Sequence, residues 1–386
     1  MGSEQKQESS PVAAAAELNA KPTVCFLGPV SSYTHQATLD TFPGDKFDLI
    51  PVQTIKDIFD TTQSGRAAYG VVPFENSSNG SVVFTLDQFA DRNGEYPDLS
   101  VCAEIYLDVH HCFLGYHAPP PLLSQAEASE TQTQPQPQTR ALDLKHVKRI
   151  YSHPQAFGQC AKFLASHLRG VETVDVSSTS RAAQLAKADG TGESAAISSA
   201  AAARLLGIDI LARNIEDRAD NTTRFFVVRR GPDSAVPSPG GEVLDDVLAA
   251  RRRPERKRKR GEGDVDGDGD ETIQGVEEEV GGEGEGEGGG VDDDIYSRTK
   301  SLASFTVPHR SPGALADVLE CFRRSRLNLT SINSRPSLVE PFQYVFFVEF
   351  EGHLARDPEG RVKDVLRSVA EVAQRYRWLG SWDRMR

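Results

Sequence analysis

Long apolar runs are missing from this 386-residue chain: no stretch reaches 18 residues, so no membrane-spanning helix is expected. Cysteine is scarce. The five present, Cys25, Cys102, Cys112, Cys160 and Cys321, are odd in number, far apart and without a C-x-x-C, which argues against a disulfide framework and a thiolate zinc site. They read as reduced core thiols. No apolar run leads into a G-x-G-x-x-G or a Walker A sequence, so a bound nucleotide is not indicated. His35, His110, His111 and His153 lack metal-ligand spacing and need no catalytic role, and no metal or cofactor is expected. The opening "MGSEQKQESSPVAAAAELNAK" has no basic stretch followed by an apolar one, and its two early glutamates disfavour a transit peptide. These absences describe a soluble, cytoplasmic protein without a membrane partner.

Basic residues are absent where acidic ones crowd. Residues 261–294 hold 15 Asp and Glu and no Lys or Arg, so removing that segment from a net charge of −13 leaves the remainder at +2. The acidity is local, and so is the low complexity: a polar tail at 1–21, a Pro/Gln/Thr-rich insertion near 117–143 and a linker at 231–298. None of these carries enough apolar surface to offset the entropy of ordering it. The run "RRRPERKRKR" at 251–260 is followed at once by the larger acidic block, which reads as a self-compensating linker; a nucleic-acid partner is not expected. "DVDGDGDETIQG" imitates a calcium loop through Asp264, Asp266, Asp268 and Gly269, but position 12 is Gly275 where a bidentate Glu is required. Two folded units remain, 22–230 and 299–386.

In the first unit a short apolar run leads four times through small polar residues into a helical stretch: "TVCFLG" into "PVSSYTHQATLDTF", "AAYGVVPF" into "ENSSNGSVVFTLDQFA", "VKRIY" into "SHPQAFGQCAKFLASHL", and "AAIS" into "SAAAARLLG". This alternation predicts an α/β fold with a mainly parallel sheet, whose ligands bind outside the carboxyl ends of the strands. Ser32, Thr34, Asn76, Ser77, Ser152 and Ser198 fall at those ends, where each can cap a helix and where several positive helix ends together favour a small carboxylate. One polar cluster stands apart. "NTTRFF", 221–226, runs straight into Val227 and Val228, setting hydroxyl and amide side chains against the start of a buried strand.

Five motifs, "GPVSSYTHQA", "GVVPFENSSNGSV", "YSHPQAFGQC", "AAISSAAAARLLGIDILARNIED" and "NTTRF", in this order, resemble the prephenate dehydratase family, with Ser31 where the family usually has Gly. The resemblance implies two α/β lobes like those of type II periplasmic binding proteins, with the site in the cleft between them. It implies loss of the ring carboxylate of prephenate as carbon dioxide and of the ring hydroxyl as water, giving phenylpyruvate for L-phenylalanine biosynthesis without a cofactor. It assigns the donor role to Thr223, with Glu75, Asn76, Ser77, Ser152, Gln159, Arg224 and Phe225 binding and orienting the substrate. Glu75 has a second reading as a first-turn helix acid, and Arg224 can equally be structural, its fork on a carboxylate or carbonyl.

The second unit reads as strand, helix, strand, strand, helix, strand, with amphipathic helices around Leu315, Val318, Leu319 and Phe322 and around Val362, Val365, Leu366, Val369 and Val372. This is the ferredoxin-like βαββαβ order. It resembles an ACT domain of the phenylalanine-binding kind, with "GAL" at Gly313, Ala314 and Leu315 and "NSRP" at Asn333, Ser334, Arg335 and Pro336; Asn333 stands where that kind more often has Glu. The resemblance implies L-phenylalanine as an effector, bound across a homodimer or homotetramer. Two alternatives stay open: dehydration of arogenate, whose amine replaces the pyruvyl ketone, and a two-lobed carboxylate or amino-acid binder without turnover.

Overall fold

The computed structural model describes residues 21–117, 142–231, Leu244, Leu248, 295–308 and 310–386. The tail, most of the insertion, and the linker's basic and calcium-like runs lie outside the described residues. Among the described residues no helix is long and apolar enough to cross a membrane.

The strands are β1 (Thr23–Leu27), β2 (Asp48–Val52), β3 (Tyr69–Asn76), β4 (Gly80–Ser81), β5 (Leu99–Asp108), β6 (Cys112–Gly115), β7 (Arg149–Ser152), β8 (Glu172–Asp175), β9 (Ser194–Ser198), β10 (Asp209–Arg213), β11 (Thr222–Arg230), β12 (Thr299–Thr306), β13 (Leu329–Pro336), β14 (Tyr344–Glu351) and β15 (Arg375–Asp383). The helices are α1 (Tyr33–Thr41), α2 (Ile55–Gln63), α3 (Val83–Ala90), α4 (Pro154–Gln159), α5 (Ala161–His167), α6 (Thr179–Ala188), α7 (Ala200–Leu206), α8 (Ala314–Arg324) and α9 (Arg361–Val372).

Two lobes share one plan. The first lobe's sheet runs β2-β1-β3-β11-β5 and the second's β8-β7-β9-β6-β10. In each, three parallel strands are followed by a strand antiparallel to its neighbours, the arrangement of type II periplasmic binding proteins. The sheets are therefore mixed rather than mainly parallel, because the chain leaves the first lobe through residues 109–111 and returns through 214–221 to insert β11 between β3 and β5. Phe225, Phe226, Val227 and Val228 are each at most 1% exposed, so β11 is packed on both faces.

Helix starts follow local hydrogen bonding. Ser32 caps α1 by accepting from the His35 N–H, Thr54 and Asp57 form a reciprocal capping box on α2, and Ser199 caps α7. His153, not Ser152, caps α4 through Nδ1, and Ser199, not Ser198, caps α7. The run after β3 departs from the expected pattern. Asn76 and Ser77 end a strand that turns back through β4, and α3 starts only at Val83. At Ser31 the backbone has φ of +80°, the left-handed region natural to glycine, which explains the usual residue there.

The C-terminal unit has the predicted βαββαβ order, with sheet order β13-β14-β12-β15 and all pairs antiparallel. One face packs on α8 and α9 through Phe305, Val318, Phe322, Phe350, Val365 and Val369. The other face meets the first lobe: Leu302, Phe347, Leu379 and Trp382 share a core cluster with Phe226, Val228 and Val101. At the seam β15 pairs with β5 through Gly380 and Val101, fusing the two sheets into one of ten strands. The linker assignment for 231–298 needs correction at both ends. Leu244 and Leu248 are helical and buried against Phe225 and Val227, and Tyr296, in a short helical turn, is a buried member of the C-terminal core. Each buries a large apolar side chain, which offsets the entropy of ordering that residue.

Candidate functional site

The register of β11 against β3 sorts the polar cluster. Thr223 is opposite Asn76 and Arg224 is opposite Glu75, and cross-strand partners share a face. Asn76 Nδ2 donates to Thr223 Oγ1 at 3.0 Å and to Asn221 Oδ1 at 2.8 Å. Its Oδ1 accepts from the backbone N–H groups of Ser78 and Asn79 at 3.0 and 3.1 Å, which holds the amide in one orientation.

From Asn221 the chain of bonds crosses to the second lobe. Asn221 Nδ2 donates to Gln159 Oε1 at 3.2 Å, and the same oxygen lies 2.7 Å from His111 Nε2. His111 Nδ1 lies 2.7 Å from the Tyr33 hydroxyl. Because Gln159 Oε1 only accepts, the neutral imidazole carries its proton on Nε2 and Tyr33 donates to Nδ1. Burial lowers the pKa of His111, outweighing its bond to Gln159, so the ring stays neutral. Glu216 fixes both crossing segments by accepting from the His111 N–H at 2.8 Å and pairing with His110 Nδ1 at 2.8 Å. A cavity of about 430 Å³ opens beside this chain, lined by Asn79, Gln155, Gln159, Arg218 and Asn221 among others. Arg218 is held by Asp220 through two bonds of 3.0 and 2.8 Å and is the cation on the cavity wall among its described lining residues.

Of the expected site residues, Thr223, Asn76 and Gln159 come together here. Ser77 flanks them, its hydroxyl accepting from the Thr222 N–H at 2.9 Å and donating to Asp220 O at 3.2 Å. Four expectations need correction. Ser152 is fully buried and donates to Ile197 O at 3.0 Å, so it ties β7 to β9 instead of meeting a ligand. Phe225 is 1% exposed in the core of the first lobe. Arg224 and Glu75 lie on the face opposite Thr223 and pair with each other at 3.1 Å. Arg224 also meets Glu349 at 2.9 Å and Glu104 at 3.4 Å, and Lys300 bridges the same two glutamates at 3.3 and 3.2 Å. Burial alone would raise the Glu349 carboxyl, but Arg224 and Lys300 hold it below its usual range. Arg224 is thus the structural fork of the two readings, and its planar guanidinium also sits over the Phe74 and Phe226 rings.

Tyr33, His111, Asn221 and Arg218 were not among the predicted site residues. Asn221 lay within the motif itself. His111 gave no local signal, because its partner Tyr33 is 78 positions away and meets it only through the fold.

The effector segments part company within one chain. Gly313, Ala314 and Leu315 line a cavity of about 350 Å³ with Phe342, Tyr344 and Phe346. The "NSRP" strand instead docks on the first lobe. Asn333 Oδ1 accepts from the Ser81 hydroxyl at 2.7 Å, Arg335 forks onto Asp87 at 2.8 and 3.1 Å, and Pro336 O accepts from Arg92 at 2.9 Å. Ser334 is exposed.

Two lobes of identical sheet plan, closed on a polar hydrogen-bonded hinge beside a cavity, define an α/β protein of type II periplasmic-binding-protein architecture with its site at the crossing segments. The sequence pattern described as prephenate dehydratase matches residues 24–233. A bifunctional chorismate mutase/prephenate dehydratase from Aquifex aeolicus is 30% identical over 371 residues, covering 96% of this chain and 76% of that protein. A probable prephenate dehydratase from Saccharomyces cerevisiae is 27% identical, over 85% of this chain and 86% of that one. The solved structure of a prephenate dehydratase from Arthrobacter aurescens in complex with L-Phe shares the fold, with a TM-score of 0.65, 24% identity and coverage of 94% of this chain and 90% of that chain. The chain belongs to the prephenate dehydratase family.

Proposed function

We propose that the cleft at Thr223 performs the decarboxylating dehydration of prephenate to phenylpyruvate, a carbon–oxygen lyase reaction. One observation carries this reading: Asn76 Nδ2 donates to Thr223 Oγ1, so the threonine's own hydrogen is left to point at a substrate. In the reaction the bond from the ring to its carboxylate breaks, and its electron pair becomes part of the aromatic ring. The ring-to-hydroxyl bond breaks as the hydroxyl takes up a proton, leaving as water. Aromatisation supplies the driving force, and the poor leaving group needs a positioned donor. A threonine hydroxyl is a weak acid, so it works as an oriented hydrogen bond, and Asn76 donating into its oxygen makes that hydrogen a better donor. Asn221 and Gln159 hold the rest of the polar wall. The test is phenylpyruvate and carbon dioxide formation on mixing with prephenate, with arogenate at equal concentration alongside. Faster turnover of arogenate would move the substrate assignment, and no turnover of either would favour a binder without chemistry.

We infer further that the C-terminal unit is an ACT-type sensor. Its βαββαβ order, its cavity beside Gly313, Ala314 and Leu315, and the L-Phe complex of the Arthrobacter relative support phenylalanine as the effector. Because "GAL" and "NSRP" line different surfaces of one chain, a second copy is needed to bring them together. Phe342 is 84% exposed beside that cavity, which fits coverage by a partner subunit. Calorimetry of the full chain with phenylalanine, repeated on Leu315→Trp, locates the site: heat in the wild type and none in the variant is expected, and equal heats overturn it.

A further inference from the structure

A second cavity, of about 250 Å³, lies between the first lobe and the C-terminal unit, at the far end of β11 from Thr223. Arg229 lines it. The side chain is 9% exposed, and no carboxylate among the described residues pairs with it. A buried guanidinium without a counter-charge is costly, so charged groups at this depth are normally paired. Across the cavity Arg356 is already engaged by Asp383 at 2.7 Å. His353 is 3% exposed on the same wall, and its pKa is pushed down to about 4, by burial first and by the positive charge of Arg356 and Arg229 after it. Among the described lining residues the polar side of the cavity therefore carries one uncompensated positive charge. The remaining walls are apolar, from Leu244, Leu248, Ala103, Trp382 and Met385.

We propose that this cavity is a binding site for a small carboxylate with an apolar body of about one ring, its carboxylate on Arg229 and its body against Leu244, Leu248 and Trp382. A single free cation among the described lining residues suits a monoanion better than a doubly charged phosphate or sulfate. The volume holds roughly eight waters' worth of liquid, which admits a benzoate-sized molecule and little more. The two walls belong to different units, Ala103 and Arg229 to the first lobe and His353, Arg356 and Trp382 to the C-terminal unit. A bound carboxylate thus fastens one unit to the other, a second ligand position distinct from the cleft at Thr223 and from the cavity at Gly313.

The test is isothermal titration of the full-length protein with sodium benzoate, benzyl alcohol and sodium sulfate, on wild type, Arg229→Gln and Arg229→Lys. Benzoate should bind the wild type, bind Arg229→Gln at least about tenfold more weakly, and raise the wild-type melting temperature more than the variant's. Benzyl alcohol and sulfate should each bind more weakly than benzoate. Arg229→Gln removes an unpaired buried charge and should melt no lower than wild type without ligand. If Arg229→Gln fails to fold, Arg229→Lys decides: it keeps the charge, loses the fork, and should bind benzoate several-fold more weakly. Unchanged benzoate affinity in the folded variant, sulfate binding as tight as benzoate, or no benzoate heat up to about ten millimolar overturns the proposal.

Discussion

Arg224 on β11 and Glu349 on β14 meet at 2.9 Å in a buried ion pair, so the residue next to Thr223 in sequence is bolted to the C-terminal unit. Alternation along β11 separates the two side chains: Thr223 shares a face with Asn76 while Arg224 lies on the other face with Glu75. Removing one partner of a buried pair leaves an uncompensated charge and costs about 3 to 5 kcal/mol. Glu349→Gln should lower stability to denaturant by about that amount. The folded pKa of Glu349 is depressed, so its contribution is full above the unfolded carboxylate value and fades as pH falls through the lower folded one. The gap between wild type and Glu349→Gln should therefore narrow below about pH 4.3; a gap that widens with acid contradicts the pairing.

Thr223→Ala removes the proposed donor. Donors of this kind contribute about 10² to 10⁴ in rate, so kcat should fall at least about a hundredfold while the fold survives. Thr223→Ser should retain much of the activity. Thr222 is the internal control, because its hydroxyl donates to Asp108 at 2.8 Å, away from Asn76. Thr222→Ala should change kcat only mildly, and equal losses at both positions would return the cluster to a purely structural role.

His111→Ala breaks the bond chain between Tyr33 and Gln159, whereas His111→Gln preserves an amide donor near Nε2. The alanine variant should raise KM and lower kcat together through a misplaced Gln159, with partial rescue by glutamine. If both variants behave like wild type in steady-state kinetics, the chain is packing and no more.

Gly380 marks the seam between β15 and β5. Its φ is +137°, and an added Cβ would lie 2.0 Å from Val101 O, so the strands can touch only without a side chain. Gly380→Ala should cost about 2 to 4 kcal/mol from strain and overpacking together. Gly44, with open space where a Cβ would go, is the matched control, and Gly44→Ala should melt close to wild type.

The linker should prove divisible. A short Gly/Ser replacement of 251–290 should leave turnover nearly intact. Extending it to 235–295 removes Leu244 and Leu248 and should lower the melting temperature, since each buried leucine contributes about 1.5 to 3 kcal/mol. Equal melting of the two constructions would show that these leucines contribute no packing.

Much of this architecture was legible in the residues. The four apolar runs are β1, β3, β7 and β9, the periodicity of 299–386 resolves into its six elements, and "NTTRF" opens the strand that carries Thr223. Local chemistry determines such features, because strand alternation, helix periodicity and caps act over a few positions. What the tertiary structure decided was facing and partnership. Glu75, Asn76, Thr223 and Arg224 are two adjacent pairs in the chain, and only the β3–β11 register sets Asn76 with Thr223 on one face and Glu75 with Arg224, beside Glu349, on the other. Ser152 and Phe225 read as site residues by position, yet the fold spends them on Ile197 and on the core. Tyr33, His111, Gln159 and Asn221 form one chain of bonds from four distant segments, and Arg229 shares a cavity with a unit whose first strand begins 70 residues later. Sequence spacing cannot encode these meetings, because they depend on long-range packing that places each face against its neighbour.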